Sequence, residues 1–228
     1  MINKYLLLFI ISLFYTQCFT QRNNEEKYIN DINNNIKKPV SNIIKTNPFV
    51  IIWGTIPYSA EYRLNYETSI ATRQTMEMGF SYLGKSIILQ MIEDTMYQNS
   101  SSKPPNLKVR GYRVQGQYRY FIKLFEKYRP EGIYAALHSS YSYAKIFRYK
   151  NNDYIKITHI NANILFGYQY FVNDNFIIDV FSGIGCKRNK WEEYNANGIY
   201  NTIDTDDLGH YYNSNLKIIL GCNIGICF

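Results

Sequence analysis

The stretch Leu216-Lys-Ile-Ile-Leu-Gly-Cys-Asn-Ile-Gly-Ile-Cys-Phe228 decides the fold. Every second position is apolar: Leu216, Ile218, Leu220, Cys222, Ile224, Ile226 and Phe228. Lys217, Gly221, Asn223 and Gly225 lie between them. Side chains alternate faces along a strand, so the pattern predicts a strand with one apolar and one polar face. Joined to an N-terminus that reads as an export signal, such a strand ending on an aromatic predicts a transmembrane β-barrel whose outer face meets lipid.

The alternation recurs from Pro48 onward. In residues 59–67, Ala60, Tyr62, Leu64 and Tyr66 oppose Glu61, Arg63, Asn65 and Glu67. In 75–82, Met76, Met78, Phe80 and Tyr82 oppose Thr75, Glu77, Gly79 and Ser81. Residues 111–122, 157–170 and 175–186 repeat the pattern, and 49–56 and 132–144 are further candidates. Several runs reach the 9–11 residues that a membrane strand needs, against about 5–6 for an ordinary strand. Closure with both termini on one side requires an even number of strands. Splitting 49–56 from 59–67 at Pro57, which cannot donate to a ladder, makes the count eight. The expected fold is all-β, an eight-stranded antiparallel up-and-down transmembrane β-barrel. Segments 68–74, 125–131 and 172–175 are read as periplasmic turns. Segments 84–108, 147–154 and 187–213 are read as outer loops.

The ends set the expected domains: signal peptide 1–20, flexible periplasmic tail 21–47 and outer-membrane barrel 48–228. Lys4 precedes an apolar run, residues 5–15, too short to span a bilayer as a helix. The alternative, a lipid anchor on Cys18, is disfavoured by Gln17 before it. Residues 21–47 are Asn-rich and charged without periodicity. Composition agrees: 23 Tyr and 13 Phe suit a barrel with aromatic girdles. The net charge of +7 is spread without a Lys/Arg-dense block, which argues against nucleic acid and for anionic headgroups. Cys186, Cys222 and Cys227 lack metal-site spacing and are expected as free thiols. No cofactor is expected.

Three blocks carry a resemblance. They are residues 111–121 (GYRVQGQYRYF) with 130–134 (PEGIY), residues 166–170 (FGYQY) with 175–185 (NFIIDVFSGIG), and the closing strand. Together they resemble an uncharacterised family of small outer-membrane β-barrel proteins, a domain of unknown function, over roughly residues 47–228. The resemblance implies an eight-stranded barrel of OmpA- or OmpX-like size and no catalytic residue. The closing strand is similar to the signal read by the barrel-assembly machinery, with Leu220, Ile224, Ile226 and Phe228 as its matching positions.

Parity places Glu61, Arg63, Glu77, Arg113, Arg119 and Asp179 inside the barrel, with Glu67 and His159. An eight-stranded interior is just wide enough for side chains to fill, and buried charges are tolerated when paired. A closed network is therefore expected, rather than a pore or proton path. His138 and His159, with Ser139, Ser140, Ser142 and Ser182, are the material for a lipid hydrolase, but no nucleophile elbow or spaced triad is present. Trp53 and Trp191 read as membrane-interface anchors. The acidic run 204–207 lacks the glycine and spaced acid of a calcium loop. The expected role is a structural or interaction protein of the bacterial outer membrane. Its partners would be lipids, the assembly machinery and an extracellular molecule that the loops do not name. The alternatives are a small transporter or pore, and a lipid-modifying enzyme. A soluble ligand-binding barrel is the second choice of fold.

Overall fold

The computed structural model describes residues 40–52, 54, 56, 59–87, 90, 91, 95, 107–148, 153–195, 200–202 and 215–228. The expected signal, Cys18, the tail as far as residue 39, Trp53, most of the 84–108 loop and the 204–207 run lie outside the described residues.

The strands are β1 (Asn42–Thr46), β2 (Ser59–Ala71), β3 (Gln74–Lys85), β4 (Leu107–Leu124), β5 (Gly132–Arg148), β6 (Tyr154–Phe171), β7 (Phe176–Tyr194), β8 (Tyr200–Thr202) and β9 (Leu216–Cys227), and a short helix, α1 (Phe49–Ile52), follows β1. Each strand from β1 to β7 pairs antiparallel with the next; β7 pairs with β9, and β9 returns to β1. Eight strands thus close an up-and-down ring. β8 stands outside it and pairs with the end of β7.

Following one register around the ring measures its stagger. From Lys45 the partners run Asn65, Gly79, Gln115, Ser140, Asn161 and Lys187. Lys187 then bonds Asn215, ten residues from Gly225, where Lys45 itself pairs. A stagger of that size over eight strands tilts them by roughly 40° from the axis. The end bearing the turns near 72–73, 125–131 and 172–175 is the lower end; the opposite one is the upper end.

The first strand is not the one that the alternation picks out. Residues 49–56 are not a strand: α1 occupies Phe49–Ile52, and the eighth wall strand is Asn42–Thr46. The barrel therefore begins inside the segment read as a flexible tail. A short apolar run is ambiguous between helix and strand, and Asn47-Pro48 carries the start signature of a helix. The Asn47 side chain accepts from the backbone N–H groups of Phe49 (3.1 Å) and Val50 (3.4 Å), and Pro48 lacks an N–H to satisfy. β1 escapes the periodicity because its inward positions are an isoleucine and a lysine, Ile43 and Lys45, both buried.

A second difference lies at the upper end. β7 does not stop near Cys186 but continues to Tyr194, so much of the expected 187–213 loop is wall. Unbroken parity then turns Trp191 inward. It is buried with Ile56, Leu83, Val109, Ala144, Ile146 and Ile157 in an apolar cap across the upper lumen. Trp191 is thus a lumen residue, not an interface anchor. At the lower end Val40, Ile43, Phe171, Ile177 and Cys227 form an apolar floor. Gly132 begins β5 with φ of 142°, a conformation that side-chain-bearing residues rarely adopt.

Candidate functional site

The site is the lumen between cap and floor. Strand pleating alone puts alternate residues there, and the antiparallel register brings distant ones level. Its lower part is a charged knot. Arg119, fully buried, lies within ion-pair distance of Glu67 (3.4 Å), Glu77 (2.5 Å) and Asp179 (2.9 Å). Lys45 meets the same three acids: Glu67 in close contact, Asp179 at 3.2 Å and Glu77 at 3.6 Å.

Neutral groups take up further valences of the knot, although Arg119 Nε has no hydrogen-bond partner. Gln169 Oε1 accepts from Lys45 (2.6 Å) and Arg119 (2.9 Å), while its amide donates to the Pro130 carbonyl (2.7 Å). Tyr134 donates to Asp179 (2.6 Å), Thr75 to Glu67 (2.5 Å) and Asn65 to Glu77 (2.8 Å). The Arg119 guanidinium also stands 4.6 Å from the Tyr134 ring centroid. A buried charge is costly unless paired and hydrogen-bonded, and this knot meets both conditions.

Above the knot is a chamber of about 230 Å³. Glu61 Oε1 accepts from Arg63 Nη2 (2.7 Å) and Ser81 (2.8 Å), and Arg113 lies 3.5 Å from the other oxygen. Lys187 and Lys217 add two more cations to the lining. His138 and His159 face the same space, both largely buried. Asn163 Nδ2 lies 2.8 Å from His138 Nδ1. Buried polar atoms on the chamber wall, the donor Gln117 Nε2 and the acceptor Gln115 Oε1 among them, have no hydrogen-bond partner.

All six charged residues singled out by parity lie in the lumen: Arg119, Glu77 and Asp179 in the knot, Glu61, Arg63 and Arg113 beside the chamber. The alternation in 157–170 puts Gln169 on the polar row with His159, but sequence reading missed Lys45 and Tyr134 of the knot. The parity requirement for an eighth strand was the one signal for Lys45. The hydrolase candidates do not assemble. Ser139 and Ser182 point outward, away from the histidines. Ser140 accepts from Asn161 (2.9 Å), and neither it nor Ser142 bonds a histidine. Among the described residues no three His, Cys, Asp or Glu side chains converge as a metal site. Cys186, Cys222 and Cys227 are free thiols.

On the closing strand Leu220, Ile226 and Phe228 are exposed on the outer face, with Ile224 half-buried in the same row. No family model matches this chain, and no curated protein matches it in sequence.

Proposed function

We propose that this chain is an outer-membrane β-barrel of structural or interaction type, with a closed polar lumen and no catalytic role. The observation that carries the reading is an inverted distribution of polarity. Tyr62, Leu64, Phe80, Val114, Leu137, Ile164, Ile184 and Leu220 stand exposed around the outer wall, while Glu61, Glu67, Arg119 and Asp179 are buried inside. A water-soluble barrel buries the opposite set. An apolar surface encircling the barrel far exceeds the few hundred Å² that a soluble monomer exposes, and it is what lipid solvates.

Charges on the outer face lie towards the two ends: Arg110, Arg188 and Lys190 at the upper, Lys123 at the lower. Strands β4 to β7, of 17–19 residues, are longer than the 9–11 needed to cross, so they rise beyond the bilayer. There a collar forms: Tyr154 and Tyr194 stack at 4.8 Å, Lys145 lies over Tyr154 at 4.7 Å, and Lys156 pairs with Glu192 at 2.8 Å. The collar holds the upper loops clear of lipid, where they meet an extracellular partner. Leu220, Ile224, Ile226 and Phe228 supply the assembly signal.

Outer-membrane fractionation tests the reading. The protein is expected to resist carbonate extraction and to migrate differently on SDS gels before and after boiling. It is expected to carry no steady current in planar bilayers, because cap, knot and floor block the lumen. Release into the soluble periplasm overturns the reading in favour of a soluble barrel.

A further inference from the structure

On the outer wall, four small residues stand in one register row. Gly116 pairs with Ser139, Ser139 with Ala162 and Ala162 with Cys186. All four face outward and are exposed. The next outward row below them is large: Tyr118, Leu137, Ile164 and Ile184. Small side chains beside large ones leave a groove of about 570 Å³, which Leu137, Ile164, Ile184 and Leu216 border. At Gly116 it is open, since a Cβ there would meet nothing within 4 Å. From β4 to β7 the row crosses three strand spacings, about 14 Å.

The groove is oblique, and the knot measures its rise. Arg119 shares a register row with Ala136, Leu165 and Gly183, yet it meets Asp179, four residues nearer the lower end of β7 than Gly183. A register row therefore climbs the barrel on its way from β4 to β7. Cys186 is accordingly the upper end of the groove and Gly116 the lower. Arg188, exposed, is the next outward residue above Cys186.

The wall becomes cationic at that level. Arg110, exposed on β4, shares a row with Lys145, Lys156 and Glu192, so the same four-residue offset sets it level with Arg188. Lys145 faces outward on β5, with its ammonium 4.7 Å from the Tyr154 ring centroid. Glu192 holds Lys156 (2.8 Å) and Lys190 (2.7 Å). Arg110, Lys145 and Arg188 present their charge on the wall above the groove.

The end of an apolar groove thus meets cationic side chains at one place. A molecule that suits both has an anionic head and an apolar tail. Lys145 and Arg188 are two strands apart, about 10 Å, within the reach of two long side chains that converge on one group. Thr158, which faces outward on the intervening β6, adds a hydroxyl. A phosphate offers acceptor oxygens to all three, and the planar guanidinium of Arg188 matches it with two parallel donors.

We propose that the outer wall from β4 to β7 seats one phosphate-bearing lipid, its head at Arg188, Lys145 and Thr158 and an acyl chain in the groove from Cys186 down to Gly116. The inference rests on the membrane reading above and singles out one lipid site on a wall that lipid surrounds.

The experiment titrates the full chain, refolded in a non-ionic detergent, with dioctanoyl phosphatidic acid at fixed ionic strength. Calorimetry and phosphorus NMR are the readouts. Dioctanoyl phosphatidylcholine keeps the tails and cancels the charge; glycerol phosphate keeps the head and lacks the tails. Saturable binding of the phosphatidic acid near one equivalent is expected, roughly tenfold tighter than either comparison. Arg188→Gln is expected to weaken it about tenfold, the loss of one charge-assisted contact. Lys145→Gln is a second variant in case the first misfolds, and heat-modified gel mobility reports folding for both. Gly116→Leu fills the groove where a side chain has room, and is expected to weaken binding with folding intact. Lys123→Gln, on the outer face at the lower end, is expected to change nothing. Equal affinity for the two lipids, or no saturable binding of either, overturns the proposal. So does unchanged binding by the folded charge variants or by Gly116→Leu, or weakening by Lys123→Gln as large as theirs. A chain that fractionates with outer membranes and fails this titration loses this inference alone.

Discussion

The lower and upper halves of the lumen are built by the same strands from the same kinds of residue, yet only one of them is full. In the lower half two cations, Lys45 and Arg119, face three acids, Glu67, Glu77 and Asp179, with Gln169 and Tyr134 bonded into the gaps. Among the described residues of the upper half Arg63 and Arg113 share Glu61, and space remains. The difference traces to β1. Where β1 is present, all eight strands close the ring and Lys45 reaches the centre. Where β1 has ended, β9 has no ladder partner on that side among the described residues. Closure and dense ion pairing therefore go together, because only a sealed interior makes an unpaired charge expensive.

The largest expected effect breaks the lower half. Arg119→Ala leaves Glu67, Glu77 and Asp179 to Lys45 alone, and stability should fall by roughly 3–5 kcal/mol, the cost of breaking a buried pair. Thermal unfolding in detergent reads this, and parallel bilayer recordings should stay silent. An unchanged unfolding temperature would mean that the knot is not what holds the lower barrel.

Next comes the outer wall against the lumen. Leu220→Lys places a charge on the apolar face and should cost up to roughly 2–4 kcal/mol in lipid near the midplane. Refolding yield into vesicles measures it, and normal insertion would show that Leu220 does not face lipid.

The Lys156–Glu192 pair, partly exposed at Lys156 and covered at Glu192 on the outer wall, sharpens the contrast between surface and lumen ion pairs. Lys156→Ala should cost no more than about 1 kcal/mol. Hydrogen bonding to Lys156 and Lys190 lowers the Glu192 carboxyl from its ordinary value. Its small contribution is present above the unfolded carboxylate's pKa and is lost as pH falls through the lowered value. Unfolding scans of parent and variant between neutral and acid pH should therefore converge, and a gap that persists in acid would show another role for Lys156.

The smallest expected effect lies in the upper half. Lys217→Gln removes a largely buried cation that Arg113 and Arg63 repel, and should hold or raise the unfolding temperature. A loss comparable to that of Arg119→Ala would show the two halves to be equally paired.

Much of the wall was legible in the residues. Strands β2 to β7 and β9 advertise themselves by alternation, because their outer side chains are apolar and their inner ones polar at a period of two. That period also assigned Glu61, Arg113, Arg119 and Asp179 to one interior without any coordinates. It failed where the local signal inverted or ran out. Ile43-Ile44-Lys45 has no polar–apolar contrast between its faces, so β1 read as tail. The apolar run after Pro48 read as strand, although Asn47 caps a helix there. Trp191 was misplaced because a strand's end, unlike its pattern, is set by what its neighbours can still pair with; β6 supplies partners as far as Tyr194.

By itself, then, the sequence determined that alternating strands of this length would close into an even-numbered ring with charge within, since parity is a property of each strand alone. Only the tertiary structure decided which lysine completes the knot, where β1 leaves the ring, and that a chamber remains above the knot. Those depend on register and stagger. The ten-residue stagger brings Lys45 level with Gly225 and leaves Lys217 beside the chamber, and no single strand contains that information.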